Sequence, residues 1–364
     1  MNYREALFFV GKCLTITHDK QNLALVKDDI ISGNVDWDNV VKLSTKHYVF
    51  PALYCNLKRA NFLHYLPEEL VNYMKHITDL NRTRNLQILE QAKEINELLV
   101  ANNITPVFLK GTAFLLQNLY HDIAERMVGD IDFLVAKEDA SMVLEILKND
   151  NYKFTIEEST YLDNSKHYPR MVKKECINAI EVHREMTLKK HRPYFNYDVV
   201  KPNLITSNSF MFLSFKDQVL HTIINKQLND YGYLYKNIAL RNCYDLYLLS
   251  YKTDTLKAIK QIPTLFKFLN SFLCNVSFVF KTPTSILFEQ NKQTTNYQKS
   301  IIKLLDSPSK YRSHHLRIQF LIFSKSRMKV LIKAFYSKKH FIFVSQRLTN
   351  INWYKRKLGF KSTL

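Results

Sequence analysis

Asp130-Ile131-Asp132 places two carboxylates at the two-residue spacing of a β-strand, so both project from one face while Ile131, Phe133 and Val135 line the other. Like charges held side by side repel, and a packed sheet is a poor place for them unless a positive charge comes between. A divalent cation answers that need. Mg2+ is a hard ion that prefers carboxylate oxygens and keeps waters for a phosphate-bearing ligand. Farther along, Cys176–His183 reads as a second strand on which Glu181 and His183 share a face. A third carboxylate would complete a site for two ions ~3.5–4 Å apart, the arrangement that clamps attacking and leaving oxygens in displacement at phosphorus. His183 stays open among orienting a carboxylate, assisting proton transfer and simply packing.

Upstream, Thr105–Leu109 is a short β-type run that breaks at Lys110-Gly111-Thr112 and opens a helix over Ala113–Tyr120. Backbone N–H groups at a helix start bind phosphate readily. Gly111 would let the backbone come close, and the Thr112 hydroxyl adds a donor. Lys110 either neutralises phosphate charge or is an exposed strand-end lysine. Strand–Gly–helix junctions and paired aspartates are each common; the ordered set is what points to phosphoryl chemistry.

These residues need a frame. Residues 1–103 read as helices: Asp36 caps a start at Trp37, Pro67-Glu68-Glu69 suits a first helical turn, and Ile88, Ala92, Ile95 and Leu99 recur at helical spacing until Asn102-Asn103. Residues 104–205 alternate strands and helices, with a helix over 138–149 and a further short strand over Tyr152–Ile156. From about Ser214 the pattern is helical again, as in Asp217–Lys226 and Ile238–Tyr251, which divides the chain into a helical region 1–103, an α/β core 104–205 and a helical, basic region 206–364.

The stretch LKGTAFLLQNLYHDIAERMVGDIDFLV resembles the signature of the polymerase-β-like nucleotidyltransferase superfamily, and more narrowly a bacterial family of uncharacterised nucleotidyltransferases. The matching residues are Lys110-Gly111, Leu119-Tyr120, Arg126, Asp130-Ile131-Asp132 and Glu181-Val182-His183, with further likeness in DWDNVVKLSTKHYVFPALYCNL and LRNCYDLYLL. The resemblance implies an α+β fold: a mixed-sheet nucleotidyltransferase core flanked by helical regions. It implies transfer of a nucleoside monophosphate from an NTP to an acceptor hydroxyl, with two Mg2+ ions, or Mn2+, on Asp130, Asp132 and Glu181. Lys110, Gly111, Thr112, Arg126 and His183 would contact the nucleotide, Arg126 either pairing with phosphate or bracing Asp130 through a bidentate contact. His221, Arg241 and Asp245 lie on helices that could close over it. Thr112 stands where the superfamily usually has Ser or Gly, and the stretch from Thr112 to Asp130 is longer than in compact members. The alternative is a non-catalytic nucleotide- or RNA-binding protein that keeps the fold.

Composition is consistent with this picture. In 364 residues there are 6 Gly and 9 Pro, which favours long helices over a turn-rich sandwich. Five dispersed cysteines without a CxxC pair fit reduced thiols, and adjacent His314-His315 would point about 100° apart on a helix and make a poor zinc pair. No leader or membrane-length apolar run stands out, so the expectation is a cytoplasmic protein. The net charge is +19, yet from Gln290 to Leu364 there are 17 Lys/Arg and one acid, Asp306, so nearly all the excess lies there. Such a segment could contact nucleic acid, lie on an anionic membrane, or bury its apolar sides and leave its cations to solvent.

Overall fold

A computed structural model of the chain describes residues 1–155 and 166–349. Four helices open it, Tyr3–Cys13, Lys20–Ile31, Trp37–Lys46 and Phe50–Arg59. Asn2, Asp19 and Asp36 cap the first three by accepting backbone N–H groups three residues on. The helix Glu68–Val100 follows Pro67 and is roughly 50 Å long at ~1.5 Å per residue. Its buried Ile88, Ala92, Ile95 and Leu99 press on the sheet.

Seven short strands form one mixed sheet: β1 (Val107–Phe108), β2 (Ile131–Leu134), β3 (Lys153–Phe154), β4 (Met171–Val172), β5 (Ile180–His183), β6 (Ile205–Ser207) and β7 (Phe210–Phe212). The spatial order is β3-β4-β5-β2-β1-β7-β6. The central strand β2 runs antiparallel to β1 and parallel to β5. Phe108, Ile131, Phe133, Val135, Ile180, Val182 and Phe212 pack on one face against the long helix and the helix Ala140–Asn149. Val107 and Leu134 face a second, larger core that includes the N-terminal helices and the helices between Phe215 and Leu305. Strand β2 is buried on both faces, which is why its aspartates matter.

Several expectations shift. The Cys176–His183 strand is only Ile180–His183, because Asn178 is drawn into a turn: Arg84 donates to its side chain at 2.7 Å and Gln91 donates to its carbonyl at 2.9 Å. The helix expected over Ala113–Tyr120 runs Lys110–Leu116. Of the Tyr152–Ile156 strand, Lys153–Phe154 forms and Ile156 lies outside the described residues. Strands β4, β6 and β7, two or three residues each, are too short to carry a period. The hairpin β6–β7 belongs to the sheet, so the α/β unit continues past residue 205 to Phe212. The N-terminal and later helices also share a core. A Cβ on Gly11 would lie 2.7 Å from the Val279 carbonyl oxygen, so glycine permits that close approach. No described helix is long and apolar enough to cross a membrane.

Candidate metal and nucleotide site

The parallel register of β2 and β5 pairs Asp132 with Glu181 and Leu134 with His183. Side-chain alternation then sends Asp132, Glu181 and His183 to the same face, the one turned toward the larger core. All three are buried, and each offers a ligand atom within 4.8 Å of the others. Among the described residues they are the one such group of three metal-type side chains. Asp130 sits just before β2 with its side chain one-fifth exposed. Burial and the neighbouring charges of Asp132 and Glu181 raise its carboxyl to about 6.

Protein cations surround these acids. Lys110 Nζ donates to Asp132 Oδ1 at 2.6 Å, and His183 Nε2 lies 2.8 Å from the same oxygen. Burial alone would raise the Asp132 carboxyl, but Lys110 and His183 outweigh it and hold it below the ordinary carboxylate range. Arg170 bridges the other two acids, donating from Nε to Glu181 Oε1 at 2.8 Å and from Nη2 to Asp130 Oδ2 at 2.7 Å. His167 Nε2 lies 3.7 Å from Glu181 Oε2. Glu181 is lowered to about 2: burial pushes it up, but hydrogen bonds with His183 and Arg170 and the nearby His167 bring it down. Lys166, whose ammonium burial and the nearby Lys110 charge hold below its usual value, donates to Asn225 Oδ1 at 3.0 Å. Asn225 opens a π-helical turn, Asn225–Asn229, that extends the helix Phe215–Ile224. Such a bulge re-aims side chains over a site.

The Lys110-Gly111-Thr112 junction is present with a twist. Its positive φ falls on Lys110, at +53°, and not on the glycine. A side chain held in the left-handed region is strained, and here the conformation accompanies the ion pair to Asp132. Gly111 serves close packing: a Cβ there would lie 3.0 Å from Val128 Cγ2 and 3.5 Å from Arg126 Cζ. Thr112 is fully buried, and its hydroxyl points to the Asp130 carbonyl at 3.4 Å, a long contact.

Arg126 departs from both of its expected roles. It does form a bidentate contact, but with Asp245, from Nε at 2.7 Å and Nη2 at 2.9 Å. Tyr120 donates to the same carboxylate, and Arg126 Nη1 donates to the Met127 carbonyl at 2.6 Å. A guanidinium so fully committed and buried is a brace for the segment leading into β2. Next to it, Glu125 accepts from Tyr244 at 2.8 Å and from Arg59 at 2.7 Å, tying that segment to the N-terminal helices. Arg241 donates to the Met127 carbonyl at 3.3 Å, and His221 is buried with its ring 6.4 Å from that of Phe195.

The structure brings Asp130, Asp132, Glu181, Lys110 and His183 together and adds Lys166, His167 and Arg170, which the sequence reading does not name. The missed three belong to a stretch with no regular period, preceding a two-residue strand. Asp245 carried a readable signal: an aspartate inside LRNCYDLYLL, amid apolar and aromatic neighbours, must be buried and hence paired.

Comparison with known proteins adds a family. No curated protein matches the chain. Among solved structures, the crystal structure of JHP933 from Helicobacter pylori is similar at 12% identity, with 72% of this chain and 99% of that one covered and a TM-score of 0.27. A family described as uncharacterised nucleotidyltransferase matches residues 33–267, well over half of the chain and the whole of the acid cluster. The chain belongs to this uncharacterised nucleotidyltransferase family.

Proposed function

We propose that the protein transfers a nucleoside monophosphate from an NTP to an acceptor hydroxyl, with release of pyrophosphate, at the cluster of Asp130, Asp132 and Glu181. The observation that carries this reading is the register of β2 on β5, which sets Asp132 beside Glu181 on one buried face next to Asp130. The donor set suits a divalent cation: Asp132, Glu181 and His183 each offer a ligand atom within 4.8 Å of the others, and Asp130 beside them is raised by burial and by the charges of Asp132 and Glu181. Asp130, Asp132 and Glu181 would hold two Mg2+ ions, with Mn2+ able to replace them. Bound there, the ions would neutralise the charge that builds on the attacking and leaving oxygens.

The chain's own residues divide the remaining work. His183 orients Asp132 through their hydrogen bond, and Lys110 holds a positive charge where the triphosphate would enter. Gly111 and Thr112, buried behind Lys110, would set the backbone of that junction. Arg170, on the exposed side of the acids, is free of steric enclosure and suits a phosphate once metal takes its carboxylates. The acceptor oxygen bonds to the α-phosphorus as the bond to the departing pyrophosphate breaks, and the hydroxyl proton leaves to water. Glu181, held near 2, is a weak base whose part is charge and position. Catalysis of this kind rests on alignment and electrostatics. A cytoplasmic location would supply both NTP and Mg2+, and it is the setting this reading takes.

A second reading, a nucleotide- or RNA-binding protein without catalysis, draws on Arg170 lying across Asp130 and Glu181, where it satisfies both acids without metal. Incubation with labelled NTPs, Mg2+ and cell extract separates the two. The expected result is a labelled acceptor with released pyrophosphate, both lost in Asp130→Asn with Asp132→Asn. Transfer undiminished in that double variant, or nucleotide binding without turnover in the unaltered protein, would overturn the catalytic reading.

A further inference from the structure

The helices Pro308–Ala334 and Lys338–Thr349 pack on each other and meet the rest of the protein mainly at their root. There His314 lies 2.9 Å from the Leu234 carbonyl and Tyr311 faces Tyr3 across 6.5 Å. Beyond the root the longer helix buries no residue. Leu316, Phe320, Phe323, Met328, Leu331, Ile332 and Phe335 are 45–85% exposed and are interspersed around the helix with its cations. Tyr336 and Phe341 continue the apolar surface at 87% and 62%. Between Pro308 and Thr349 there are ten Lys or Arg and no Asp or Glu. Of the basic segment from Gln290, the helix Lys292–Leu305 buries Tyr297, Ile301 and Leu305, whereas the helix Pro308–Ala334 leaves its apolar side chains exposed.

The cover for this surface must be anionic and must also accept aliphatic side chains. A second copy would bring an equal cluster of cations and no acids to meet it. Single-stranded nucleic acid would pair with the cations and stack on Phe320 or Tyr336, but Leu316, Leu321, Met328, Leu331 and Ile332 offer it neither stacking nor hydrogen bonds. A lipid bilayer with anionic headgroups takes both: aliphatic and aromatic side chains enter the headgroup boundary, and lysines pair with phosphates above it. A cavity of about 640 Å³ at the root continues the positive surface, with Lys236, Lys292 and His314 around the stacked rings of Tyr233 and Tyr297.

We infer that the helical pair 308–349 docks the protein on an anionic phospholipid surface, lying in its plane and not across it. This stands apart from the reaction assigned to the acid cluster, so either can fail without the other. The test is sedimentation of the full chain with vesicles of phosphatidylcholine alone and of phosphatidylcholine mixed with phosphatidylserine. The expected result is partitioning to the mixed vesicles only, falling as salt rises. Replacing exposed Lys325, Lys329 and Lys333 together by Gln should lower that partitioning about a hundredfold, roughly fivefold for each lysine near an anionic surface. Phe320→Ser with Leu331→Ser should weaken it as well while keeping the salt dependence. Both variants alter exposed positions, and an unchanged melting temperature checks that each is folded. Failure to sediment with either vesicle overturns the proposal, as does equal sedimentation with both. So does RNA binding that the lysine variant abolishes in a protein that ignores vesicles, or a solution dimer that the Phe320/Leu331 variant dissolves.

Discussion

Two clusters of acids and arginines flank the segment between Tyr120 and Asp132, and they are built on opposite terms. In the first, Asp245 receives a bidentate Arg126 and the Tyr120 hydroxyl, while Glu125 receives Arg59 and Tyr244. Each buried acid has its cation, the geometry is closed, and Arg126 and Asp245 are almost wholly shielded from solvent. In the second, Asp130, Asp132 and Glu181 crowd together on the central strands β2 and β5. Their partner Arg170 is more than half exposed and divides itself between two of them. Three acids side by side leave one, Asp130, near 6. The difference teaches where to look for chemistry. A charge network closed on buried partners is scaffold, whereas one in which neighbouring acids share a half-exposed arginine can give that partner up to a ligand.

Mutation should pull the two clusters apart. The largest effect expected is on turnover. Asp130→Asn with Asp132→Asn should cut NMP transfer by at least about a thousandfold, roughly 4 kcal/mol of transition-state stabilisation. Asp130→Asn alone should leave the urea midpoint unchanged or slightly higher, because it removes the carboxylate whose charged form the site disfavours. A clear loss of stability in that single variant would make Asp130 part of the scaffold.

Asp245→Asn should behave in reverse. It leaves the buried Arg126 guanidinium without its counter-charge, and breaking such a pair costs about 3–5 kcal/mol. The urea midpoint should fall accordingly. Any residual folded fraction should retain metal binding at the acid cluster, since Asp245 touches none of the three acids. A midpoint close to that of the unaltered protein would deny the brace its structural role.

Acid should find the closed scaffold before it finds the fold as a whole. His47 is wedged between the Tyr3 hydroxyl at 3.0 Å and the Leu240 N–H, which donates to Nδ1 at 3.3 Å. A donor aimed at Nδ1 requires that nitrogen to be unprotonated. Burial, helped by Lys46 and Lys226, lowers the imidazole from 6.5 to about 4. The unfolded chain therefore takes up a proton between those values that the folded chain refuses, so stability falls as pH drops through that window. At pH 5 the loss is about 2 kcal/mol relative to neutral pH. Urea unfolding at the two pH values measures it, and His47→Asn should abolish that share of the acid sensitivity.

How much of this was legible in the sequence follows from how local each signal is. The acids of β2 and β5 and the Lys110 junction could be read because alternation and a Gly-marked break act within a few residues. Asp36 at a helix start and Pro67 before the long helix could be read for the same reason. Arg126 reads as pairing with phosphate or bracing Asp130 because its partner in the fold, Asp245, lies 119 positions away, and nothing local ranks that carboxylate above Asp130. The hairpin β6–β7 was missed because three residues cannot display a period of two. The exposure of the C-terminal helices was undecidable, since apolar spacing alone does not tell which faces find a partner.

Arg170 supplies the smallest effect and the finest distinction. Its guanidinium stands across Asp130 and Glu181, donating to both. If those acids take a divalent ion, Arg170 competes with it, both by occupying carboxylate lone pairs and by adding positive charge beside the ion. Arg170→Gln should then raise the affinity of the nucleotide-free protein for Mn2+ by roughly fivefold, a modest gain because the side chain is largely solvent-screened. With NTP present the sign should invert. An arginine released by metal is available to phosphate, so its loss should raise KM for NTP while leaving kcat nearly unchanged. Titration of Mn2+ by its paramagnetic signal, with and without a non-hydrolysable NTP analogue, reads both effects in one experiment. If Arg170→Gln weakens Mn2+ binding in the free protein, the arginine is organising the acids and not holding the place of a cation. The open cluster would then be nearer in kind to the closed one than the exposure of its arginine implies.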